Sequence, residues 1–92
     1  MKNSPEFNEK EFPDIEYWNH RVMATIESDS LYFAIHEVYY DTNNTPILYT
    51  EEPLQIINDS IAEMKQDLEY MLTCLNHPIL WTGDKFPQIY EK

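Results

Sequence analysis

Apolar and polar residues alternate with a period of two over Tyr17 to Ile26, YWNHRVMATI. Trp18, His20, Val22, Ala24 and Ile26 fall on one side, and Tyr17, Asn19, Arg21, Met23 and Thr25 on the other, which predicts a strand. ESDS at 27–30 reads as a turn without glycine, in which Ser and Asp can bond their own backbone. A second strand is predicted over Leu31–Tyr40, LYFAIHEVYY, rich in aromatic and β-branched residues and apolar on both faces, as a central strand would be. DTNNTP at 41–46 predicts another turn, with Asn43 and Asn44 suited to positive φ. ILYT at 47–50 is a short third strand, flanked by Pro46 and Pro53 as strand ends and edges tolerate. Local hairpins make this sheet antiparallel.

The period then changes. Ile61, Met64, Leu68, Met71, Leu72 and Leu75 recur at spacings of three and four, one stripe of a helix. Glu63, Gln66, Asp67, Tyr70 and Thr73 fall toward its other side. Ser60-Ile61-Ala62-Glu63 matches a capping box, and Pro78 ends the helix. The stripe would suit a partner helix, but beside a sheet its expected seat is the core. After it, PILWTGDKFPQIYEK is too apolar to dangle and is expected to fold back over the domain, a short strand being one form open to it, with a turn at Gly83. Residues 1–15, MKNSPEFNEKEFPDI, read as a flexible acidic arm, and 16–92 as one domain. The predicted fold class is α+β: a three-stranded antiparallel sheet packed on one C-terminal helix (β-β-β-α), with N- and C-terminal extensions.

At 92 residues the chain has room for one core. Its 42% hydrophobic content argues against full disorder. No apolar run approaches bilayer length, and Met1–Glu16 lacks the apolar segment of a secretory signal, so a soluble protein is expected. The single cysteine, Cys74, excludes an internal disulfide and fits a reducing, cytoplasmic setting.

Charge changes the picture most. The formal net charge is −11, and no basic residue lies between Arg21 and Lys65. A field of one sign repels nucleic acid and anionic membrane and attracts basic surfaces. The expected partner is a protein with a basic surface, with no direct nucleic-acid or membrane binding. The plainer alternative is that the charge only keeps the chain soluble. Candidate partner-binding carboxylates are Glu27 and Asp29 in the first turn, Asp41 in the second, Glu51 and Glu52 after the third strand, and Glu63 and Asp67 on the helix. A second candidate surface is the aromatic face of the central strand, Tyr32, His36 and Tyr40, which is either exposed or covered by the C-terminal segment through Trp81 and Phe86.

Catalytic signals are weak. One glycine is too few for phosphate-cradling loops, and neither GxSxG nor CxxC occurs. Cys74, near the end of an acidic helix, is poorly placed for a thiolate. His20, His36 and Asp41 are the one set that might be tried as metal ligands, but a strand His among tyrosines is more often a packing residue. The expectation is a protein that is not an enzyme and needs no metal or cofactor.

Trp18-Asn19-His20-Arg21-Val22, then Phe33 through Asp41 (FAIHEVYYD), then Tyr49-Thr50-Glu51-Glu52-Pro53, resemble a family of small bacterial proteins reading W-N-x-R-V, I-H-E-V-Y-Y-D and Y-T-E-x-P, with an E-x-M-L helix feature here at Glu69, Met71 and Leu72. The resemblance covers about residues 18–80. It implies a shared fold and carries no activity. The chain departs from the pattern in lacking a glycine in its second turn and in its Phe-bearing arm. The β-β-β-α order is similar in topology to HicB-type antitoxins, partial ribonuclease-H-like folds that block a small toxin. In character the chain also resembles small acidic phage-borne inhibitors, anti-CRISPR proteins among them, which occupy basic nucleic-acid channels. Two functions are therefore expected as alternatives. One is an acidic inhibitor or regulator of a basic nucleic-acid-handling protein. The other is an antitoxin-like regulatory subunit binding through the Tyr-rich face.

Overall fold

A computed structural model describes residues 15–91. Residues 1–14 of the arm expected over 1–15, with Phe7 and Phe12, lie outside the described residues, as does Lys92. The first two strands form as the alternation predicts: β1 is Tyr17–Glu27 and β2 is Ser30–Tyr40. They pair antiparallel in unbroken register from Tyr17↔Tyr40 to Glu27↔Ser30. The two-residue turn places Ser28 and Asp29 at φ 53 and 68. Positive φ at both positions is the type I′ geometry, whose twist matches that of the strands.

At the other end of β2, Asp41 Oδ1 accepts from the backbone N–H of Asn43 (2.8 Å) and of Thr45 (3.0 Å). Asn44 takes the left-handed position at φ 64, a role that Asn tolerates. The chain then returns as β3, Pro46–Tyr49, antiparallel to β2 with a register shift at Tyr39/Tyr40. Beyond β3 it keeps to the edge of β2: Thr50 N–H donates to Glu37 O and Leu54 N–H to Ile35 O.

Helix α1, Ile61–Leu72, starts at Ser60, whose hydroxyl accepts from Glu63 N–H at 3.1 Å. A 3₁₀ turn at Thr73–Asn76 follows and lies against β1. The segment after it folds back over the domain and forms a short strand. Leu80–Trp81 forms β4, parallel to β1 with Met23↔Leu80 and Ala24↔Trp81. The domain is thus α+β with a four-stranded sheet in the order β3-β2-β1-β4. The expected three-stranded antiparallel sheet is corrected to a mixed one. Two residues are too few to show a period, and a parallel partner needs no adjacent hairpin. No helix among the described residues is long and apolar enough to cross a membrane.

The two faces of the sheet differ. On the face of Met23, His36, Val38 and Tyr40, a core forms from Met23, Val38, Tyr40 and Leu80, with Tyr49 and Phe86 packed against it. The C-terminal segment provides its lid. On the other face lie Trp18, His20, Val22, Ile35 and Phe33, and here the helix departs from expectation. None of its residues is buried. Tyr70 meets His20 edge to face at 5.1 Å, and Cys74 is buried in the turn below it. At 100° per residue Tyr70 points about 160° away from Leu68 and Leu72. The apolar stripe is therefore turned aside, and the seam expected to be core stands open.

Candidate functional site

The candidate carboxylates sit on the surface but do not form one patch. Glu27 and Asp29 are at the tip of the β1–β2 hairpin, and Asp41 is at the opposite end of strands 11 residues long, on the order of 30 Å away. Glu51 and Glu52 are exposed just after β3, and Glu63 and Asp67 are exposed on α1. Several have structural work: Asp41 caps its own turn, Asp67 Oδ2 accepts from Asn58 Nδ2 at 2.7 Å, and Glu27 Oε1 accepts from the Tyr32 hydroxyl at 3.2 Å. The cations are fewer and partly withdrawn. Arg21 is buried, donating from Nη1 to the Tyr40 hydroxyl (2.7 Å) and from Nη2 to Pro78 O (2.6 Å). Lys85 lies with Nζ 4.5 Å from the centre of the Trp81 ring. Among the described residues that leaves Lys65 as the remaining lysine.

The aromatic candidates separate. Tyr32 is exposed, whereas His36 and Tyr40 are buried beneath Tyr49, Phe86 and the C-terminal segment. His36 Nδ1–H donates to the Thr50 carbonyl at 2.8 Å, which sets the tautomer because a carbonyl only accepts. Tyr40 stacks on Tyr17 with ring centres 4.6 Å apart. Of the three candidates on this face, His36 and Tyr40 belong to the buried side of the sheet and Tyr32 is exposed, as is Tyr17 on the same face.

The register also separates the histidines. His36 pairs with Arg21 and His20 with Glu37, so the two imidazoles lie on opposite faces of the sheet and cannot share a metal with Asp41. Burial lowers the pKa of both below the ordinary 6.5; Glu37 and Asp67 oppose this at His20, and the hydrogen bond to Thr50 opposes it at His36. Burial also raises the Cys74 thiol, against the pull of Arg21, so the thiolate is disfavoured. Among the described residues no three His, Cys, Asp or Glu side chains are grouped to hold a metal ion.

A further feature is the open seam between α1 and the sheet. It is a groove of about 520 Å³, walled by Ile35 and Ile56 on one side and by Ile61, Met64, Leu68 and Leu72 on the other. Only Lys65 and Glu69 bring charged side chains to its lining. Leu68 is 44% exposed, Leu72 62% and Ile61 80%. The stripe itself was readable, but Ile35 and Ile56 were not among the site residues the sequence pointed to. The sequence signal for the helical wall was the stripe of Ile61, Met64, Leu68, Met71, Leu72 and Leu75.

Compared with family profiles, with characterised proteins and with solved structures, the chain gives no match in any of the three.

Proposed function

We propose that this domain is a non-enzymatic acidic binding protein, an inhibitor or regulator that occupies the basic surface of a nucleic-acid-handling protein. The observation that carries this reading is the imbalance of surface charge. Carboxylates project at both ends of the sheet, after β3 and along α1, while Arg21 is internal and Lys85 lies over an indole. A net charge of −11 distributed this way would place carboxylates where a basic protein normally meets phosphates. The alternative, an antitoxin-like subunit using the Tyr-rich face, draws little support from a face whose His36 and Tyr40 are buried.

The test needs the native partner, recovered by affinity purification from the source cells. Association should slow more than dissociation accelerates when Glu51→Lys and Glu52→Lys are combined, because exposed rim charges steer encounter. Raising salt from about 50 to about 500 mM should weaken binding as the Debye length contracts. Association that ignores both changes would reduce the charge to a solubility device.

A further inference from the structure

Resting on the reading of an acidic domain that binds a basic protein, we propose that the junction of β1, β2 and α1 around His20 is the seat of an arginine side chain of that partner. Its guanidinium lies against the rings of Trp18 and Tyr70 and pairs with the carboxylates of Glu37 and Asp67.

Register and helical period bring the group together. Trp18 pairs with Tyr39 and His20 with Glu37, so these four side chains share one face of the sheet. Tyr70 of α1 meets the imidazole of His20 at 5.1 Å between ring centres, and Trp18 meets it at 5.4 Å. Asp67 precedes Tyr70 by three residues, about 60° around the helix, and its charge reaches His20. Trp18 is nonetheless 45% exposed and Tyr70 51%, which leaves aromatic surface open beside the two carboxylates.

Both carboxylates are oriented by neutral donors and neutralised by none. The Tyr39 hydroxyl donates to Glu37 Oε1 at 2.7 Å, and Asn58 Nδ2 donates to Asp67 Oδ2 at 2.7 Å. The cations of the described residues lie elsewhere. Arg21 is on the opposite face of the sheet, Lys85 lies over Trp81, and Lys65 lines the groove, about 200° around the helix from Asp67. His20 does not supply the missing charge, because burial lowers its pKa against the pull of Glu37 and Asp67. The group is also short of hydrogen bonds. His20 is 8% exposed with Nδ1 unpartnered, and Asn58 Oδ1 is buried without a donor. Buried polar atoms are rarely left so.

A guanidinium answers each of these features. It is flat and permanently charged, it stacks on aromatic faces, and its fork of N–H donors matches carboxylates. An ammonium brings the charge without the plane. A divalent ion gains nothing from the rings, and no three His, Cys, Asp or Glu side chains among the described residues are grouped to hold one. A neutral polar ligand would leave both carboxylates uncompensated.

The probe is N-acetylarginine methylamide, titrated at constant ionic strength into the isotopically labelled full chain while the indole N–H signals of Trp18 and Trp81 are followed by NMR. The controls are the citrulline analogue, which keeps the shape and loses the charge, and the lysine analogue. Trp18 should shift saturably, with a dissociation constant on the order of 1–10 mM for this single side chain, and Trp81 should stay in place. Citrulline should bind at least about tenfold more weakly and lysine at least about threefold. Glu37→Gln and Asp67→Asn keep acceptors for Tyr39 and Asn58 and remove one charge each, so the fold is retained. Either should weaken arginine binding at least about fivefold. Asp84→Asn, which removes the same charge near Trp81, should change it less than about twofold.

Several results would overturn the proposal. Citrulline bound as tightly as arginine would take charge out of the site, and lysine bound as tightly would end the assignment to a guanidinium. A loss in Asp84→Asn equal to that in Glu37→Gln and Asp67→Asn would reduce the attraction to a diffuse field. A Trp18 signal unmoved by about 50 mM probe would leave no arginine site at this junction. With the native partner, salt-sensitive association that the combined Glu37→Gln and Asp67→Asn variant leaves unchanged would keep the acidic-binder reading and sink this site. Salt-insensitive association ends that reading by itself, whatever the probe does at Trp18.

Discussion

His36 shows how a side chain that looks functional in the sequence becomes structural in the fold. Its ring is closed in by Tyr49, and its one N–H is committed to Thr50 O. Burial holds its pKa below 6.5, as it does for His20. A histidine whose folded pKa is depressed is protonated more readily in the unfolded chain. Its contribution to stability is therefore complete above pH 6.5 and is lost as pH falls toward the folded value. The urea midpoint should drop between about pH 7 and pH 5, with a shallower slope in His36→Gln. An identical slope in the variant would remove His36 as the cause. Other residue-scale features were legible because they obey local rules. Ser60 caps the helix, and Asn44 takes positive φ. The burial of His36 was not legible, because it depends on Tyr49 and Thr50 closing over the ring, with Phe86 of the distant C-terminal segment packed against Tyr49.

Among the elements, β1, β2 and α1 were readable from period alone, and β3 from its prolines. What period cannot state is what a stripe faces. Leu68 and Met23 are both apolar residues on regular elements, yet Met23 is 0% exposed in the core while Leu68 lines an open groove. Met23→Ala should cost on the order of 2–5 kcal/mol. Leu68→Ala should cost less than about 1 kcal/mol, where a helix seated in the core would have lost far more. Two urea titrations decide it, and equal losses would mean that the helix closes onto the sheet in solution. The cause of the displacement lies in the connections. Residues 50–54 hold to the edge of β2, and the 73–76 turn is tied to β1. Between these anchors α1 meets His20 of the sheet through Tyr70, while Leu68 lines the open groove.

Taken whole, the molecule divides its labour between the faces of one sheet. The C-terminal segment covers the core on one face and reaches Phe33 on the other through Tyr90, and the groove opens on that second face. The acidic candidates were legible as exposed residues because Asp and Glu rarely go elsewhere. Their dispersal to opposite ends of the sheet was not, because it follows from strand length and turn position together. The groove was half legible: its helical wall is written in the stripe of Ile61, Met64, Leu68, Met71 and Leu72, but Ile35 and Ile56 come from a strand and a connecting segment that only the fold brings beside it.

That uncovered seam has a consequence for how the protein behaves in the tube. An open apolar trough on a molecule of net charge −11 should stay dispersed at neutral pH because like charges hold copies apart. The isoelectric point is near 4.4, and there the repulsion vanishes while the trough remains. Light scattering should rise sharply as pH is lowered toward that value and fall again when the solution is returned to neutrality. The rise should be blunted in Leu72→Asp by more than its added charge accounts for, as judged against an added aspartate at exposed Gln66 on the same helix. If both variants cloud alike, clumping is driven by charge loss alone and the trough plays no part in it.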